Sequence, residues 1–115
     1  MLKTKKIRVA LPTNGEKGLE DTVSNVFGRA NTFTVVDVVD GKIKNVKILK
    51  NFASGYSSGV GPVVVKMLAD SGVKMVIAGE IGPGATTLLE QYKIDKVEVK
   101  PGLTVSEAIK NAGLA

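Results

Sequence analysis

The sequence predicts an α/β fold, a mixed sheet of about five strands with helices on its faces, and three features carry that expectation. The first is a hairpin signature: the β-branched run Thr32–Val39 (TFTVVDVV), joined through Asp40-Gly41 to Lys42–Lys50. The second is an alternation of helical and strand patterns from residue 61 onward, which demands right-handed parallel crossovers. The third is Met75–Ala78 (MVIA), a near-continuous apolar run of the kind found in strands covered on both faces.

Taken in order, residues 6–11 read as a short apolar strand that Pro12 should end, and Thr13-Asn14-Gly15 supplies turn chemistry after it. Residues 16–31 are polar and glycine-containing without a sustained period, a loop with room for one helical turn. In the hairpin, the parity of Ile43 shifts against Val46, Ile48 and Leu49, so a bulge or a late strand start is expected. Residues 51–61 form a loop dense in Ser and Gly. A helix follows, with Pro62 at its first position, Val64, Met67 and Leu68 on one face, and Gly72 as its left-handed terminator. After Met75–Ala78, the segment Gly79-Glu80-Ile81-Gly82-Pro83-Gly84 turns tightly into a second helix, with Leu88 and Leu89 on its apolar face. Residues 94–99 alternate as a shorter strand. Thr104-Val105-Ser106-Glu107 is a capping box that opens a last helix burying Ala108, Ile109 and Ala112 before Gly113. An antiparallel first half is thereby joined to a parallel second half, a three-layer arrangement of the ribonuclease-H-like type.

Composition narrows the function. A chain of 115 residues suits one domain over 1–115, with a radius of gyration of ~13 Å. Hydrophobic residues make up 43% and charged ones 23%, enough apolar side chain to fold and too little charge for disorder. There is no Cys and no His, which removes thiolate and imidazole metal sites, cysteine-ligated clusters, disulfides, Cys nucleophiles and Ser-His-Asp triads. The five aromatic rings offer few stacking platforms for nucleic acid. The net charge of +5 comes from lysines spread along the chain, a pattern of solvated surface rather than a specific nucleic-acid footprint. Met1-Leu2-Lys3-Thr4-Lys5-Lys6 is basic like the start of a signal peptide. The apolar run after it is interrupted by Arg8 and stopped by Pro12, so it reads as the start of a strand. No stretch approaches the ~18 apolar residues of a membrane span, so no membrane partner is expected and a soluble, cytoplasmic protein is.

In open α/β sheets, ligands sit beyond the carboxyl ends of parallel strands where the winding reverses. If the first strand pairs beside Met75–Ala78, that crevice is bordered by Asn14 and by Gly79, Glu80 and Gly82. Two helix N-termini open there, one near Gly59-Val60-Gly61-Pro62 and one near Gly82-Pro83-Gly84. Their unpaired N–H groups and dipoles favour an anion by roughly 0.3 to 2 kcal/mol per terminus. The same glycines can equally serve only as turns and caps, and neither segment matches a P-loop or a dinucleotide fingerprint. A two-metal nuclease is disfavoured, because the first strand has no acidic residue and Asp21, Asp37 and Glu80 share no spacing that gathers them. Asp37 reads as a solvent-facing strand residue. In Val23-Ser24-Asn25-Val26-Phe27-Gly28-Arg29-Ala30, Arg29 is one of two arginines in a chain that otherwise uses lysine, and its planar fork suits an anionic group. The alternative is that Phe27 packs in the core, Gly28 turns the chain and Arg29 pairs with Glu80 or another carboxylate.

The order of motifs (Val23-Ser24-x-x-Phe27-Gly28-Arg29-Ala30, Phe33 to Asp37, Asp40-Gly41, Gly59-x-Gly61-Pro62, and Val76-Ile77-Ala78-Gly79-x-Ile81-Gly82-Pro83) resembles the dinitrogenase iron–molybdenum cofactor biosynthesis family over residues 7–112. That family includes the NifX and NafY types and the domain attached to NifB. The resemblance implies a ribonuclease-H-like fold and a non-catalytic carrier or chaperone of metal–sulfur clusters, with no catalytic residue. Many members have His directly before the Phe-Gly-Arg motif, where this chain has Val26. Many have His or Cys in the loop before the first helix, where this chain has Tyr56-Ser57-Ser58. An iron–sulfur or iron–molybdenum cluster would then be cargo held as an anion, by N–H groups around Ser57, Ser58, Gly59 and Gly61 and around Gly79, Gly82 and Gly84, with Arg29 as counter-charge and no protein metal ligand. Met67 and Met75 read as core residues. The implied partner is a cluster-assembly or cluster-accepting protein. Two other readings stay open, a small-anion or nucleotide-binding regulatory module and a protein-interaction module docking on a partner that supplies the thiolates. The lysines of the hairpin, Lys42, Lys44, Lys47 and Lys50, read as a solvated face.

Overall fold

Alternation along three strands dictates two separate cores. The structure, a computed structural model, describes residues 5–115; the basic segment 1–4, and with it the start of the expected 1–115 unit, lies outside the described residues. Strands β1 (Lys6–Thr13), β2 (Thr32–Val39), β3 (Lys42–Lys50), β4 (Met75–Ala78) and β5 (Asp95–Glu98) form one sheet in the order β3-β2-β1-β4-β5. β1 pairs antiparallel with β2, and β2 with β3; β1 pairs parallel with β4, and β4 with β5. The mixed five-stranded α/β fold is therefore as the sequence predicts. Ala10, Phe33, Val35, Val76 and Ala78 face helices α1 (Val60–Asp70) and α2 (Pro83–Gln91), while Val9, Leu11, Val36, Val38 and Ile77 face helix α3 (Val105–Asn111). Leu68, Leu89 and Ile109 are fully buried in these layers, each worth about 1.5–3 kcal/mol of burial. The radius of gyration is 13.1 Å.

Local chemistry explains the boundaries. β1 does not end at Pro12 but runs to Thr13. The Pro12 carbonyl accepts a bond from the Ser24 N–H at 2.8 Å, so the proline nitrogen faces the segment around Ser24 and its missing proton costs the β1–β2 ladder nothing. The loop contains one short 3-10 turn (Gly18–Glu20). Asp40 (φ 51°) and Gly41 (φ 78°) both take left-handed backbone, the requirement of the tight hairpin turn. The expected parity shift is a bulge, since Asp37 faces Asn45 and Val38 faces Ile43, which leaves Lys44 as the extra residue. α1 begins at Val60 behind Gly59, so Pro62 is its third residue rather than its first; its absent N–H is still one of the first-turn donors without an intrahelical acceptor. Gly72 (φ 79°) ends it as expected. β5 is shorter than the expected 94–99, and the capping box closes with Thr104 Oγ1 accepting from the Glu107 N–H at 3.1 Å and Glu107 Oε1 accepting from the Thr104 N–H at 2.9 Å. That donated N–H holds the Glu107 carboxyl below its ordinary pKa.

Arg8 and Asp37 stand opposite each other on β1 and β2. Arg8 Nε donates to Asp37 Oδ1 at 2.8 Å, Nη2 to Oδ2 at 3.2 Å, and Nη1 to the Ser71 carbonyl at the end of α1 at 2.7 Å. One guanidinium thus ties the sheet to the helix C-terminus. Asp37 is buried rather than solvent-facing, and the Arg8 hydrogen bonds hold its carboxyl below the usual carboxylate range.

Candidate functional site

The switch point falls between β1 and β4, where Val9 pairs with Met75 and Ala10 with Val76. Beyond their carboxyl ends lie residue 14 onward and residue 79 onward, and both α1 and α2 begin on that side. The two helix starts pack against each other, because a Cβ on Gly61 would lie 3.7 Å from the Ala85 Cβ and 3.9 Å from the Ala85 nitrogen. Neither helix has a side-chain cap: Gly59 precedes α1 and Gly82 precedes α2. The first N–H groups of an α-helix have no intrahelical acceptor, so two sets of donors and two positive dipole ends converge here. Gly59 takes φ 74°, a conformation that glycine alone adopts without strain.

The Phe27-Gly28-Arg29 segment packs onto this junction. Phe27 is buried edge-on against Phe33, with ring centroids 5.4 Å apart and planes at 74°. A Cβ on Gly28 would meet Val60 Cγ1 at 3.1 Å and the Gly61 nitrogen at 3.8 Å, so the glycine permits close approach to the start of α1. Arg29 neither pairs with Glu80 nor stands unengaged. Its guanidinium donates to the carbonyls of Tyr56 (2.6 Å), Ser54 (3.3 Å) and Ser57 (3.3 Å), and so binds the loop that leads into α1. Among the described residues the ion pairs are Arg8–Asp37 and Lys66–Asp70. The Arg29 charge remains exposed to solvent while its N–H groups hold carbonyls.

The remaining predicted residues divide. Ser24 is buried and accepts from the Val26 N–H at 3.2 Å, shaping the turn before Phe27. Asn14 is exposed, donates to Thr22 Oγ1 at 2.8 Å, and through its carbonyl accepts from the Asn31 amide at 3.0 Å. Ser57, Ser58, Gly82 and Gly84 are exposed, and a Cβ on Gly82 or Gly84 would meet open space. Gly79 is different: its Cβ would lie 3.0 Å from Pro101 Cγ, so packing against the 99–104 loop accounts for this glycine. Glu80 shares a hollow with Glu98 and Lys100 at the ends of β4 and β5. Asp21 accepts from the N–H groups of Lys17 and Thr22, which accounts for it as a loop brace. Met67 and Met75 pack against the two cores, as expected.

Two elements of the site were missed. Buried Asn51 donates to the Gly28 and Ala30 carbonyls at 2.8 and 2.9 Å and accepts from the Ala53 N–H at 3.1 Å, so it holds the Phe-Gly-Arg turn against β3. Its signal was a short amide side chain at a strand exit, where self-bracing turns form. The 99–104 loop closes the other flank, with Val23 and Leu103 joined N–H to carbonyl at 2.8 Å and Gly102 and Val23 at 3.1 Å. No local pattern encodes that long-range pairing.

The profile of the dinitrogenase iron-molybdenum cofactor family matches residues 5–113. An uncharacterized protein of Methanocaldococcus jannaschii is 33% identical over 110 residues, covering 96% of this chain and 88% of that one. The apo form of the orange protein from Desulfovibrio gigas superposes with a TM-score of 0.83 at 31% identity, covering 91% of this chain and 85% of the other. A NifB-like protein from Thermotoga gives 0.76 at 33% identity, covering 93% and 87%. With a fold shared across these relatives and a family profile spanning almost its whole length, the chain belongs to the dinitrogenase iron-molybdenum cofactor family, and is a protein related to the biosynthesis of that cofactor.

Proposed function

We propose that this chain is a non-catalytic carrier, acting as one cytoplasmic domain, that holds an anionic metal–sulfur cluster or iron–molybdenum-type cofactor as cargo and exchanges it with a cluster-assembly protein. The observation that carries the reading is the pairing of two helix N-termini without side-chain caps, α1 behind Gly59 and α2 behind Gly82, in contact at Gly61 and Ala85. Anions gain about 0.3–2 kcal/mol at each such terminus, and the glycines leave the backbone open to a bulky ligand. The sequence has no thiolate or imidazole, so the cargo is held by N–H donors and by its charge rather than by metal–protein bonds. A family relative solved in an apo form supports a role with loaded and empty states. No helix among the described residues is long and apolar enough to cross a membrane.

The test is anaerobic: incubate the protein with iron–sulfur and molybdenum–iron cluster donors, gel-filter it, and count iron, molybdenum and sulfide per chain. Stoichiometric retention that Gly84→Val abolishes supports the reading; no retention overturns autonomous carriage. The lack of soft ligands favours a second reading, small-anion binding at the same crevice. It predicts stabilisation by inorganic phosphate without any metal retention.

A further inference from the structure

We propose that the outer edge of β3 takes up an extended acidic segment of a partner protein as a sixth strand. β3 is a margin of the sheet, runs nine residues, and among the described residues pairs only with β2. The opposite margin, β5, has four residues. A long free edge is a template for another strand, because its outward N–H and C=O groups have no ladder partner.

The chemistry of the edge selects the occupant. Lys42, Lys44, Lys47 and Lys50 are all exposed, and Lys42–Lys50 contains no carboxylate. A second copy of this chain would set lysine against lysine, which opposes pairing, whereas carboxylates on an incoming strand would be matched. On the α1 side, Asn45, Lys47 and Leu49 border a hollow of about 440 Å³ that reaches Asp70 and Ser71. Asp70 and Ser71 also border a second, mainly apolar hollow of about 530 Å³ lined by Phe52, Val63 and Met67. Phe52 is 68% exposed, more than any other exposed large hydrophobic among the described residues. A strand with a carboxylate opposite Lys47 and an apolar side chain beside Leu49 and Phe52 on the α1 side, and a carboxylate opposite Lys50 on the other face, would match this edge.

The probe is a short synthetic Glu–Val peptide repeating Glu-Glu-Val-Val, so that each face carries both residues, with a Lys–Val peptide of the same repeat and a copy of the Glu–Val peptide N-methylated at alternate backbone positions as controls. The expected result is saturable binding of the Glu–Val peptide alone, weakened by salt, with amide exchange slowed along β3. The quadruple variant K42E/K44E/K47E/K50E should weaken binding roughly tenfold or more while its melting temperature shows that it is folded. Phe52→Ala, at an exposed position, provides a second variant that should weaken binding without unfolding. Binding that survives N-methylation would overturn strand addition in favour of charge attraction alone. Absence of binding, or equal binding of the Lys–Val peptide, would overturn the proposal outright. None of these results depends on whether the crevice retains a cluster.

Discussion

Replacing Gly82 with Ser should raise stability and lower cargo retention together, a pair of signs that unfolding cannot produce. Gly82 is the N-cap of α2, with φ −62° and ψ 159°, the backbone that a capping serine adopts, and a Cβ there meets nothing within 4 Å. The new hydroxyl would accept from a first-turn N–H of α2, and the unfolded chain would lose freedom. Together these are worth about 0.5–1 kcal/mol. For 115 residues a kcal/mol corresponds to about 4 °C in melting temperature, so a rise of roughly 2–4 °C is expected. The same hydroxyl would occupy a donor that the proposed cargo uses. Gly79→Ala supplies the contrast, because its Cβ would lie 3.0 Å from Pro101 Cγ, so Pro101 must shift by a few tenths of an ångström and no cap is gained; a rise like that of Gly82→Ser is not expected. The assay is differential scanning calorimetry beside anaerobic metal and sulfide counting after gel filtration. If Gly82→Ser melts higher and retains as much cluster as the parent, the α2 N-terminus does not hold cargo and the crevice reading fails.

Asp37→Asn removes the charged acceptor from Arg8 and should destabilise by about 1–3 kcal/mol in urea melts at neutral pH. Because the folded Asp37 carboxyl lies below its ordinary value of 3.8, its contribution is present above that pH and lost as pH falls through the lower folded value. The gap between parent and variant stability should therefore close in acid, and a gap independent of pH would refute the ion pair's role. Leu68→Ala, at a fully buried position in α1, should cost about 2–5 kcal/mol by denaturant unfolding. Arg29→Ala should free the 54–57 carbonyls and speed amide exchange in that loop and at the start of α1, while a cluster bound by N–H groups alone would be retained at reduced affinity.

What the sequence disclosed was chemistry that acts over a few residues. Asp40-Gly41 specified its turn because both residues had to take positive φ, and Thr104 with Glu107 specified a helix start because each satisfies the other's backbone. Pro12 misled because a proline's effect depends on which side its missing N–H faces, and that side was set by Ser24, twelve residues on. Asp37 was misread for a similar reason: its partner Arg8 is a neighbour only once β1 and β2 are registered. The glycines looked alike in the sequence. Neighbours distant in the chain, Pro101 beside Gly79 and Val60 beside Gly28, separate those that make room for packing from Gly82 and Gly84, which make room for nothing within the protein.

That separation bears on how a chain without cysteine or histidine could carry a cluster. A glycine whose Cβ would clash is explained by the fold, and its presence says nothing about a ligand. Gly82 and Gly84 have no such explanation, because α2 would be more stable with Ser at its cap and Ala in its first turn. Stability has been left unclaimed at the helix end that abuts α1, beside a turn that Asn51 braces and a loop that Arg29 holds. An open backbone held on a rigid support is what an anion too bulky to tolerate side chains requires. The cost of keeping it open, about 0.5–1 kcal/mol at Gly82, falls within the roughly 0.6–4 kcal/mol that two such termini can supply to an anion.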